Sequence, residues 1–136
     1  MAAALGSVAL ACTYNMQGTM WFTGTPGGAT ITSARAGATV YSQASGLYTP
    51  NAAYEIRYVP LGGSAGLCHD SPLFLGPRTF TTDASGGWSN QAVALPALRG
   101  TYSMCAATVA ATSAADQPAT RSVANWSSTH LTFTVT

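Results

Sequence analysis

An all-β fold of two packed sheets is what this sequence predicts, on three observations. Nowhere do apolar residues recur at sustained helical spacing, whereas short stretches of strict apolar/polar alternation do. From Ala29 onward about seven such stretches are separated by turn-forming residues at intervals of roughly 8–12 residues. The segment from Thr79 to Val109 then carries two strand junctions in a row, Asp83-Ala84-Ser85-Gly86-Gly87 and Leu98-Arg99-Gly100-Thr101-Tyr102.

Taken in order, the chain opens with an alternating stretch at 8–17. Val8, Leu10, Cys12, Tyr14 and Met16 fall on one face, and Ala9, Ala11, Thr13, Asn15 and Gln17 on the other, as in a half-buried strand. Ala9-Leu10-Ala11 has the form of a leader cleavage site, but the basic region that should precede one is missing. The apolar run is also shorter than the ~20 residues a membrane span needs. Residues 1–11 are therefore read as part of the folded protein. Met20-Trp21-Phe22-Thr23 is a second short apolar piece. Gly24-Thr25-Pro26-Gly27-Gly28 breaks the pattern and predicts a hinge between an N-terminal arm, 1–28, and a sandwich, 29–136.

Beyond the hinge, Ala29 to Arg35 is expected to pair with Ala38 to Ala44 across Ala36-Gly37. Tyr54, Ile56 and Tyr58 alternate with Glu55, Arg57 and Val59, which predicts an aromatic core face and a polar outer face. A Gly-rich loop at 61–72 leads to Leu73–Leu75 and a strand at 79–82. The Asp, Ser and Gly residues at 83–87 supply a tight reversal into a strand at 88–95, which Pro96 ends because it gives a sheet no N–H. A strand at 102–109, an Ala/Ser/Thr-rich loop at 111–128 and a strand at 130–135 complete the reading.

Residues 38–58 (ATVYSQASGLYTPNAAYEIRY), 81–89 (TTDASGGWS) and the corner ending at Tyr102 resemble the Ig-like modules of bacterial secreted, surface and phage structural proteins, with a skeleton similar to the neocarzinostatin type. The resemblance covers 29–136 and rests on turn and corner motifs. It implies an Ig-like Greek-key β-sandwich of about seven strands, with an N-terminal extra strand or arm. It also implies a Tyr102 hydroxyl bonded back to upstream backbone. Strands 53–59 and 102–109 would be antiparallel neighbours, which brings Cys68 to Cys105 and makes that pair the expected disulfide. Cys12 is left over, either buried or bridging to another chain. A disulfide in turn implies an oxidising exterior.

Composition narrows function. Charged residues make up 7% of the chain and the net charge is +1, so no field exists to steer nucleic acid or an anionic membrane. The cations are all arginine, at 35, 57, 78, 99 and 121, and residues 1–34 carry no charge. So few charges suit a protein packed against copies of itself. Gly62-Gly63-Ser64-Ala65-Gly66 matches the nucleophile-elbow pattern, but no helix follows to aim the serine, and His69 and Asp70 are adjacent and diverge. Cys68, His69 and Asp70 fall short of a metal site unless Cys105 or His130 joins them. Glu55, Asp70, Asp83 and Asp116 form no pair suited to acid/base chemistry. Asn125-Trp126-Ser127 is a glycosylation sequon.

The expectation is a non-enzymatic structural subunit without cofactor or metal, on a virion surface or in a cell-surface filament. Its partners would be copies of itself or a major capsid or filament protein. The contact residues would be Val8, Leu10, Cys12, Tyr14, Met16, Trp21 and Trp126. The competing expectation is a monomeric binding module for a small apolar ligand, a glycan or a protein.

Overall fold

The computed structural model describes residues 15–61, 68, 71–76, 79–109, 123–127 and 129–136. The strands are β1 (Asn15–Met16), β2 (Thr19–Thr23), β3 (Thr30–Ile31), β4 (Ser33–Ala34), β5 (Thr39–Ser45), β6 (Ala53–Pro60), β7 (Phe80–Thr81), β8 (Trp88–Ala94), β9 (Gly100–Val109), β10 (Val123–Trp126) and β11 (Leu131–Val135). Among the described residues there is no α-helix, and the strands form a seven-stranded and a four-stranded sheet. The protein is a β-sandwich.

Its topology follows from which strands can share the core. β5 and β6 are consecutive but lie in different sheets, as do β8 and β9; β5 pairs with β8, and β6 with β9. The two strand pairs thus interlock the sheets. β9 is the axis of the larger sheet. One edge pairs with β6 over Tyr102–Thr108. The other is divided between β11, which takes Gly100–Met104, and β10, which takes Ala107 and Val109. β4 and β1 flank β11 and β10 in parallel. The smaller sheet runs β3-β2-β5-β8.

Side chains that alternate inward from both sheets fill the space between them. Met20 and Phe22 of β2, Val40 of β5 and Val93 of β8 meet Tyr54 and Ile56 of β6, Met104 of β9 and Phe133 of β11. Phe22 stands edge-on to Phe133, with centroids 5.3 Å apart. Trp88 packs on Tyr54 and Phe80, and its indole N–H donates to the Ser42 hydroxyl at 3.0 Å.

The two junctions are built as their residues dictate. Asp83 Oδ1 accepts from Ser85 N at 2.9 Å, Ser85 Oγ at 2.7 Å and Gly87 N at 3.0 Å, and these bonds lower the Asp83 pKa. Gly86 has φ +83°, and a Cβ there would lie 2.3 Å from the Leu47 carbonyl oxygen, so only glycine fits. At the corner the Tyr102 hydroxyl donates to the Leu98 carbonyl, the expected bond back to upstream backbone. Its neighbour Tyr58 has its pKa raised above 10, first by burial and then by Tyr102.

Several expected pairings are corrected. The turn at Ala36-Gly37 closes, with Ala38 N donating to Arg35 O at 3.0 Å, but it does not join 29–35 to 38–44. Thr30–Ile31 pairs with β2 instead, and Ser33–Ala34 crosses to β11. Both edges of β5 are already held by β2 and β8, whose apolar residues reach the same core. The break at 24–28 is therefore the turn of the β2–β3 hairpin, and Met20 and Phe22, which precede it, are core residues of the sandwich. The expected loop at 111–128 ends in a strand, β10, and the strand expected at 79–82 shrinks to Phe80–Thr81. Leu73–Leu75 is an irregular edge, with Phe74 bridging to Arg57.

Candidate functional site

The outer face of the seven-stranded sheet holds the chemistry, because register stacks the polar residues of several strands there. Residues directly opposite in a ladder share a face. Glu55, Ala107, Trp126 and Met16 thus form one row across β6, β9, β10 and β1. In the next row Arg57 lies opposite Cys105. On the far side of Cys105, His130 directly precedes Leu131, which pairs with Met104.

The outer face of β6 carries the expected polar residues, Glu55 and Arg57, and both are buried. Glu55 is fully buried, and its Oε1 lies 3.1 Å from Nη2 of the nearly buried Arg57. Arg57 Nη1 donates to the Ser71 carbonyl at 2.6 Å, and Ser71 Oγ donates to the Tyr58 carbonyl at 2.6 Å. Segment 71–75 is thereby strapped over β6, with Leu75 N donating to Ile56 O at 2.8 Å. A covalent tie holds the same cover: Cys68 and Cys105 form a disulfide, with Cα atoms 6.1 Å apart. Both cysteines are buried, and the half-buried His130 brings a ring nitrogen to them, all three ligand atoms lying within 4.8 Å of one another. The expected pairing of Cys68 with Cys105 is thus present. Its association with His130 depends on the β9–β11 register, which no periodicity in the sequence displays.

The residues expected to make contacts separate into two groups. Met16 and Trp126 are register partners on the outer face of the larger sheet. Trp21, half-buried, alternates with Met20 and Phe22 on β2 and so faces outward from the smaller sheet. Val8, Leu10, Cys12 and Tyr14 lie outside the described residues, as do the elbow-like stretch 62–66, His69, Asp70 and Asp116. At the point where the alternating segment joins the sandwich, Met16 is 59% exposed. The Met16 side chain there faces outward from the larger sheet.

No family model matches the chain, and neither a curated protein nor a solved structure does.

The sheet edges bear on how the molecule could meet others. β3, β4, β7 and β1 are two-residue edges. β8 is longer, but its register shifts against β5, with Asn90 at φ +53° in the bulge. Asn90 Oδ1 there accepts from Gly27 N and Gln43 Nε2, both at 2.8 Å, and Ala94 N is taken by Gly76 O at 3.3 Å. A bulge and a partly covered edge discourage pairing with foreign strands. Of the acids among the described residues, Glu55 is ion-paired and Asp83 closes a turn, so these two do not form an acid/base pair. No helix of the described residues is long and apolar enough to cross a membrane.

Proposed function

We propose that this protein is a non-enzymatic structural subunit of an exterior assembly, on a virion surface or in a cell-surface filament, and that its N-terminal β arm joins it to a neighbour by strand addition. The observation that carries the reading is the exposure of Met16. The arm's apolar residues share Met16's parity, and Met16 turns outward where the arm meets the sheet. Gln17 N donates to Trp126 O at 3.0 Å, so the strand is anchored in register at this point.

An uncharged alternating strand gains by being covered. Burial stabilises each of Val8, Leu10 and Tyr14 by roughly 1.5–3 kcal/mol. With the arm's own anchor facing out, a neighbouring subunit, either a second copy or a major capsid or filament protein, supplies that cover. The disulfide suits an extracellular or virion-surface setting. The resemblance to Ig-like modules of secreted and phage structural proteins points the same way.

Removal of residues 1–14 tests the proposal, since it spares β1 and the whole of β2. The truncated chain should unfold cooperatively in urea close to the full-length midpoint, yet sediment as a monomer at concentrations where the full-length chain associates. Full-length protein that stays monomeric throughout, or truncated protein that no longer folds, would refute it.

A further inference from the structure

The geometry points to a second state of the Cys68–Cys105 pair: once reduced, the two cysteines and His130 bind a thiophilic divalent cation of the zinc and cadmium class. Three features of the outer face support this.

The first is the ligand set. Two sulfurs and an imidazole nitrogen, mutually within 4.8 Å, are the donors a borderline-soft d¹⁰ ion prefers. A tetrahedral ion with bonds of about 2.3 Å to sulfur and about 2.0 Å to nitrogen sets its ligand atoms roughly 3.5–3.8 Å apart. The bonded sulfurs must separate to that distance and the histidine nitrogen must approach.

The second is support. Cys105 sits in the middle of β9, paired on both sides, and His130 leads directly into β11. Ser71 ties the segment after Cys68 to β6 through the Arg57 and Tyr58 bonds, independently of the disulfide. These ties do not depend on the sulfur–sulfur bond.

The third is charge. Arg57 lies opposite Cys105. Its own charge is met by Glu55 at 3.1 Å, so the metal is not repelled. Two thiolates and a neutral imidazole neutralise a divalent ion, and the fourth position is left to water.

The chemistry is a two-electron exchange followed by substitution. A dithiol donates two electrons and two protons to the disulfide, becoming a cyclic disulfide, and the Cys68 and Cys105 thiols are released. The cation then displaces one proton from each thiol as the two sulfur–metal bonds form, and His130 donates its lone pair without proton change.

Cadmium binding to full-length protein carrying Cys12→Ser tests this, the substitution ensuring that no other thiol contributes. A phosphine performs the reduction, taking oxygen from water as it becomes a phosphine oxide. Reduced protein should bind one Cd²⁺ per chain with a thiolate-to-metal charge-transfer band, and oxidised protein should show none. Adding His130→Ala should weaken binding by at least the ~10-fold that loss of an outer partner costs. If reduction alone unfolds the chain, Cd²⁺ should restore its β-sheet circular dichroism, since binding energy then appears as folding energy. The inference is overturned by a reduced protein without the band, by unchanged affinity in the His130→Ala variant, or by a reduced, unfolded chain that Cd²⁺ does not refold.

Discussion

Phe22→Ala should cost this protein about 4 kcal/mol, and the figure distinguishes a core strand from a detachable arm. Phe22 is fully buried in the smaller sheet and stands edge-on to Phe133 of the larger one, 5.3 Å away at 75°. Truncating a core phenylalanine costs about 3–5 kcal/mol through lost transfer energy and the cavity left behind. The aromatic pair accounts for roughly 0.5–1.5 kcal/mol of that. Against a total stability of about 5–15 kcal/mol, the variant should fold but only marginally. With a urea m-value near 1.5 kcal/mol/M, the midpoint should fall by roughly 2–3 M. Trp21→Ala, one residue earlier on the outward face, should cost about 1 kcal/mol. Equilibrium urea unfolding of oxidised protein, followed by far-ultraviolet circular dichroism, measures both. A Phe22→Ala midpoint within about 0.5 M of wild type at unchanged m would refute the placement of β2 in the core. A Trp21→Ala loss equal to or larger than that of Phe22→Ala would mean the strand's faces are reversed.

Two further outcomes follow from charge. Arg57→Met leaves Glu55 buried without its cation and should destabilise by about 3–5 kcal/mol; the double variant Glu55→Leu/Arg57→Met should recover part of that in a double-mutant cycle. A double variant less stable than Arg57→Met would show that the pair is not the source of the cost. Asp83 has its pKa lowered by the Ser85 and Gly87 bonds, so its ionised form favours the folded state. That contribution is complete above its ordinary value near 3.8 and is lost as pH falls through the depressed folded value. Chemical denaturation between neutral pH and pH 2 should therefore show a smaller acid loss for Asp83→Asn than for wild type, and equal slopes would contradict the assignment.

The sequence by itself determined the elements whose cause is local. Alternation placed β5, β6, β8, β9 and β11 within a residue or two of their observed bounds, because a face that must be dry selects every second side chain. Asp83 and Gly86 announced their turn, and Leu98 to Tyr102 its corner, because special backbone angles and short-range bonds admit few residue types. Pairing was another matter. Nothing local distinguishes a partner for Thr30–Ile31 or Ser33–Ala34, and only competition for the two edges of β5 sent one to β2 and the other to β11. β10 has too short and too bland a sequence to stand out, and it is a strand because β11 leaves the end of β9 uncovered. The outer face was decided in the same way. Glu55 and Arg57 carry the signature of a solvated edge and are buried because a segment from a dozen or more residues later is bonded down over them. His130 meets the Cys68–Cys105 pair only through the register of β11 on β9, and register is a property of two strands that neither one carries alone.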